Sequence, residues 1–149
     1  MEKVLYMMIG GIGTGKTTLA KKLRRKLQIG LVSADEIQKT NKKLTDDEVD
    51  EKTLEEYQSK MSGEDSFILD GKCLNAAERT RLIEDAQKNG FSVVGYDFGS
   101  GTKLSLFRRL SHPRRFSSKY WEEVYEYDKK TYETPELEEG FEKIFIQPR

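Results

Sequence analysis

Eight residues near the start of the chain, Gly10-Gly11-Ile12-Gly13-Thr14-Gly15-Lys16-Thr17, have the types and spacing that hold a polyphosphate. They fit the pattern G-x-x-x-x-G-K-[ST]. Glycines let successive backbone N–H groups converge on one anion with no side chain in the way. Lys16 would reach the β- and γ-phosphates of a nucleotide, and the Thr17 hydroxyl would hold Mg²⁺. Nucleotide contacts are expected from Gly11, Gly13, Thr14, Gly15, Lys16, Thr17 and Thr18. A loop of this kind can bind nucleotide and do no chemistry. Phosphoryl transfer asks for more: a metal, positive charge on the equatorial oxygens, and a group that orients the attacking oxygen.

Three other features have the chemistry for those tasks. Asp35 lies just past a short apolar run, Leu31-Val32, where it would accept the proton of an acceptor hydroxyl as a general base. Asp is also a good helix N-cap, with Ser33 as a rival for that place, and position alone leaves both readings open. Asp70 ends the apolar run Phe67-Ile68-Leu69 and would hold Mg²⁺ through water or position the acceptor. Its plainer role is a turn residue before Gly71. The segment 103–119 carries Lys103, Arg108, Arg109, Arg114, Arg115 and Lys119 and no acidic residue. Pro113 and Ser117-Ser118 suggest an irregular lid that closes arginines over phosphate, with Arg109 and Arg114 as the expected contacts. The alternative is a solvated basic loop. His112, the sole histidine, is expected to be a surface residue of this segment. Phe116, Tyr120, Trp121, Tyr125, Tyr127 and Tyr132 crowd beside it. Most are expected to pack, and one or two to stack on a base.

These residues need elements to position them. Val4 to Ile9 is an apolar run that reads as a buried strand within Lys3 to Ile9. Leu19, Leu23 and Leu27 recur at helical spacing over Lys16 to Leu27. The glycine-rich loop therefore has the strand-then-helix flanks that its motif requires. Gly30 stops that helix, and Ser33-Ala34-Asp35 opens another. Thr45 with Glu48 is a capping box for a strongly acidic helix, expected to be a solvated surface helix with Val49, Leu54 and Tyr57 on its inner side. Asn75 with Glu78 caps the next, with Ala77, Leu82, Ile83 and Ala86 inward. Strands follow at Phe91 to Phe98 and Glu142 to Ile146, and helices at Leu104 to Leu110 and Tyr120 to Thr131. Alternating strands and helices predict an α/β fold: an open parallel sheet of about five strands with helices on both faces. In such sheets ligands bind at the carboxyl ends of the strands, which would gather the loop, Asp35 and Asp70 at one edge.

The 149 residues suit one domain, 1–149, and 35% of them are charged with a formal net charge of zero. That balance argues against a protein that coats nucleic acid all over its surface. One cysteine excludes an internal disulfide and fits a reducing compartment. One Cys with one His gives no zinc site. No apolar run reaches membrane-spanning length, and the N-terminus lacks a signal-peptide pattern, so a cytoplasmic location is expected. Asn41-Lys42-Lys43-Leu44 lacks the aspartate of a guanine-reading N-K-x-D motif, and the lysine and threonine of the loop do not fit a dinucleotide fingerprint.

With Gly10 to Thr17, Ser33-Ala34-Asp35, Phe67 to Asp70, Leu74-Asn75-Ala76-Ala77-Glu78-Arg79 and the basic segment in place, the chain resembles the P-loop kinase domain of phage-type polynucleotide 5′-kinases. Tyr132 to Pro135 and Glu139-Gly140-Phe141 resemble the end of that domain. The resemblance implies an ATP- and Mg²⁺-dependent kinase of a terminal hydroxyl, most typically the 5′-OH of DNA or RNA. It implies Asp35 as base, Asp70 as the strand-end aspartate, and Arg109 with Arg114 or Arg115 as lid arginines. The family commonly has arginine three residues after the base aspartate. Here that position is Gln38, which would face the acceptor as a neutral group. A small hydroxyl acceptor is the alternative, and a non-catalytic ATP-binding protein is the third reading.

Overall fold

The computed structural model describes residues 2–149. The apolar run before the loop forms β1 (Lys3–Ile9), and the loop leads into α1 (Lys16–Leu27). β2 (Gly30–Ser33) runs directly into α2 (Ala34–Thr40). The Thr45 and Glu48 side chains each accept the other's backbone N–H, starting α3 (Asp46–Met61). β3 (Phe67–Asp70) is followed by α4 (Ala76–Lys88), capped by Asn75, and then by β4 (Phe91–Asp97). α5 (Lys103–Ser111) and α6 (Ser118–Thr131) form a helical hairpin, and β5 (Lys143–Ile146) comes last.

The five strands make one parallel sheet in the order β2-β3-β1-β4-β5. Side chains alternate across it, as a strand dictates. Leu5, Met7 and Ile9 point to one face and pack with Met61 of α3 and Ile83 and Ala86 of α4. Met8 points to the other, with Ala20, Leu19 and Leu23 of α1. Both faces are therefore covered, which explains why β3 is buried along its whole length. The register sets Asp70 beside Ser33 on one side and Met8 on the other, so the chemistry-bearing strand ends share an edge.

The helix expected over Leu104 to Leu110 is present as α5, so the segment 103–119 is mostly helical, while two other local expectations are corrected. Thr102 and Ser105 form a second capping box, and Leu106 and Leu110 pack on Ile12, Trp121 and Tyr125. Only the short stretch around Pro113 is irregular. Leu54 does not face inward; it is exposed, and Val49 and Met61 are the buried residues of α3. On α4 the inner positions are Arg79, Ile83 and Ala86, at helical spacing, while Ala77 faces solvent. Arg79 reads as surface from its type. Its guanidinium is wholly buried because Glu139 and the carbonyls of Cys73 and Leu74 satisfy it, at 2.7–3.1 Å. It pins the chain just past Asp70. Replacing Arg79 by Met leaves Glu139 and two carbonyls without their donor, and is expected to cost about 3 kcal/mol in a denaturant melt.

Candidate phosphate and acceptor site

The entry of the glycine-rich loop is held from three directions. Gly10 N–H donates to Lys72 O at 2.9 Å, Gly11 N–H to Gly99 O at 3.0 Å, and Ile12 N–H to Asp128 Oδ2 at 3.0 Å. With those groups taken, the N–H groups from Gly13 to Lys16 remain for an anion, at the positive end of α1. Gly13 has φ of +66°, and a Cβ there would lie 2.1 Å from Ser105 O. Only glycine fits, both for its backbone and for the close approach of α5. Lys16 folds its ammonium onto Gly11 O at 2.7 Å. Burial, only partly offset by Asp70, lowers it to about 8. A phosphate is the partner that such a cation lacks.

Asp70 sits at the centre of this edge. Its Oδ2 accepts from the Thr17 hydroxyl at 2.8 Å and the Ser33 hydroxyl at 2.9 Å. Burial pushes its carboxyl above the usual range, against the pull of Thr17, Lys16 and Ser33. A carboxylate whose charge is disfavoured, beside a hydroxyl and a phosphate loop, suits a hard cation. Thr17 and Asp70 are the residues that would hold Mg²⁺. Among the described residues no cluster of three or more His, Cys, Asp or Glu could enclose a metal, so phosphate and water would complete its shell.

The two roles left open for Asp35 separate here. Ser33 caps α2, accepting from Glu36 N–H at 3.2 Å, so Asp35 does not. Its Oδ1 accepts from Arg114 Nη1, while Lys39 Nζ stands 3.8 Å from Oδ2. Burial pushes the carboxyl up, but the Arg114 hydrogen bond and charge, with Lys39 and Arg109 behind them, hold it below the usual carboxylate range. Asp35 is thus an ionised acceptor with one oxygen engaged.

Asp35 and the loop line one cleft of about 1220 Å³. Lys16, Thr17, Thr18, Asp70 and Gln38 border it, as do Arg109 and Arg114 from the hairpin. Arg109 lies over the Trp121 ring at 4.9 Å, and no partner meets its buried Nε among the described residues. Arg115 turns away to a rim contact with Asp46 at 2.7 Å, in which both side chains are largely exposed. Of the aromatic residues, Trp121, Tyr125 and Tyr132 pack. Phe116 stacks on the exposed Tyr120 at 4.3 Å on the cleft wall, and Tyr127 faces solvent. His112 is an exposed residue at the cleft rim. Asp46 and Asp50 also line the cleft, so the acidic α3 is not merely a solvated surface. Sequence reasoning gave no role to Lys72, Asp97 or Asp128. Lys72 stands two residues past Asp70, and no local pattern marks the other two.

A second cavity of about 490 Å³ adjoins the loop through Thr14 and Arg108. Leu104, Ile146 and the backbone from Gly99 to Thr102 wall it. Asp97 at its base accepts from Tyr132, Arg149 and Gly99 N–H at 2.8–3.0 Å.

The chain belongs to the AAA domain family, whose sequence profile matches residues 5–114. No curated protein sequence matches it. Its fold is similar to a gluconokinase from Sinorhizobium meliloti 1021, at 18% identity and TM-score 0.60, over 99% of this chain and 84% of that one. It is similar to Chaetomium thermophilum Kti12 in complex with ADP-AlF3, at 18% identity and TM-score 0.64, over 96% and 88%. A fungal RNA kinase aligns at 14% identity and TM-score 0.62, over 100% and 76%. The fold is that of the P-loop kinases.

Two outcomes follow from the loop. ADP affinity should weaken as pH rises through about 8, because the free protein then loses the Lys16 cation. Titration calorimetry across that range, with Lys16→Met losing the dependence, checks this. Gly13→Ala should abolish ADP binding in the same titration, since its Cβ meets the α5 backbone.

Proposed function

We propose that the chain is an ATP-dependent kinase that transfers the γ-phosphoryl group to a terminal hydroxyl, with Asp35 as general base. The observation that carries this is the state of Asp35: relieved of capping by Ser33, held ionised by Arg114, and lining the same cleft as the phosphate loop. The acceptor oxygen would bond to the γ-phosphorus as the bond from that phosphorus to the β,γ-bridging oxygen breaks. The acceptor proton passes to Asp35, and ADP departs with the bridging electron pair. Lys16 and the loop N–H groups bind the phosphates. Arg109, with an unpaired Nε, is the ready donor for transition-state charge, and Arg114 follows if an acceptor displaces it from Asp35. Mg²⁺, held by Thr17 and Asp70, would neutralise charge on the β- and γ-oxygens. The smaller cavity is the seat for the donor base, between Leu104 and Ile146.

For the acceptor, the 5′-OH of a polynucleotide is the leading reading. The Phe116–Tyr120 stack offers a base a flat surface in a cleft that Arg108, Arg109 and Arg114 also line. The chain's resemblance to polynucleotide kinases supports it, while the fold likenesses to an RNA kinase and to a gluconokinase offset each other. A small hydroxyl compound is the second reading. Gln38 is neutral, and Asp50 would repel a phosphodiester backbone, whereas Asp46 is paired with Arg115.

The test is transfer of γ-labelled phosphate from ATP to a 5′-OH oligonucleotide, with nucleosides and sugars in parallel. Label is expected at the oligonucleotide 5′ end, with a KM that climbs steeply with salt. Asp35→Asn should lower kcat by about 10²-fold or more while ADP affinity holds. Label on a small acceptor alone would select the second reading. ADP binding with no transfer to any acceptor would refute the kinase.

A further inference from the structure

We propose that Asp128 and Lys72 form a latch through which the α5–α6 hairpin sets the shape of the phosphate loop, so that nucleotide affinity and hairpin position are coupled. This rests on the nucleotide-binding reading of the loop.

Asp128 projects from α6 and has no exposed surface. One carboxylate oxygen accepts the Ile12 N–H at 3.0 Å, and the other accepts Lys72 Nζ at 2.9 Å. Lys72 in turn gives its carbonyl to Gly10 N–H at 2.9 Å. One side chain of the hairpin thereby ties the loop to the segment that follows Asp70. The other ties on the loop entry, from Lys72 O and Gly99 O, belong to the sheet edge itself.

The geometry has a direct consequence for binding. Drawing the Ile12 N–H back onto Asp128 turns the loop so that the N–H groups from Gly13 onward are the ones left for phosphate. A buried negative charge behind an anion site is costly unless neutralised, and Lys72 neutralises it. Apolar packing would hold α6 against the loop without that cost. What a hydrogen-bonded ion pair adds is a fixed direction.

The hairpin grips the loop at a second point. Ser105 of α5 lies so close to Gly13 that no Cβ fits between them. Ile12 itself packs against Trp121 and Tyr125 of α6. The same hairpin carries Arg109 and Arg114 to the cleft. Any shift that moves the arginines therefore moves the Ile12 N–H and Gly13. Asp128 and Lys72 are positioning residues, because they act on phosphate through the loop backbone.

The test uses the full chain, with ADP as the probe and no acceptor. Asp128→Asn keeps the shape but presents an amide N–H to either Ile12 N–H or Lys72, so one of the two bonds must fail. ADP affinity, measured by calorimetry well below the melting transition, is expected to fall roughly tenfold. Hydrogen exchange separates coupling from fold. In the native protein ADP should slow exchange in both the loop and the hairpin; in Asp128→Asn the slowing should be confined to the loop. Lys72→Gln, at a partly exposed position, should show the same uncoupling with a smaller loss, and serves if Asp128→Asn does not fold. A folded variant that binds ADP as the native protein does and still protects its hairpin overturns the latch alone. A native protein that binds no ADP overturns the nucleotide reading and the latch with it.

Discussion

The Asp70 carboxylate accepts the Thr17 and Ser33 hydroxyls on one oxygen, and the edge of the sheet is arranged around that junction. Thr17 belongs to the first turn of α1, Ser33 ends β2, and Asp70 ends β3. Two hydrogen bonds thus tie together three segments that are far apart in sequence. Ser33 uses the same hydroxyl to cap α2, which frees Asp35 from that duty. Asp70 bears a charge that burial disfavours, and that is tolerable where cations gather.

The two sides of the cleft differ in electrostatic character. On the loop side, Lys16 and the positive end of α1 face a place for anions, and burial of Lys16 leaves its charge underused. Elsewhere in the cleft Asp35 is kept ionised by Arg114, and α3 contributes Asp50 and Asp46, the latter paired with Arg115. Arg109 also lines the cleft, with a buried nitrogen unmatched among the described residues. The contrast suits a reaction in which a hydroxyl approaches a polyphosphate and loses a proton away from it.

Much of this was legible locally. The glycine spacing marked the loop, capping pairs marked the starts of α3 and α4, and apolar runs ending in Asp marked a strand edge. These signals survive because each depends on contacts within a few residues. Expectations failed where tertiary contacts decide which helix face turns inward: Leu54 of α3 and Ala77 of α4 are exposed, while Arg79 is core because Glu139, 60 residues away, meets it. The helix expected over Leu104 to Leu110 is present, and contacts with Ile12 and Trp121 seat it.

The sequence by itself determined the parallel α/β fold, the phosphate loop and the two aspartates at strand ends, since backbone conformation and side-chain alternation encode them locally. Only the tertiary structure decided that Ser33 and not Asp35 caps α2, that Arg109 and Arg114 reach the cleft while Arg115 does not, and that Asp128 holds Ile12. The capping is a contact between residues three apart, but the Ser33–Asp70 and Ile12–Asp128 bonds join residues 37 and 116 positions apart, fixed by sheet register and helix packing, and no local spacing encodes them.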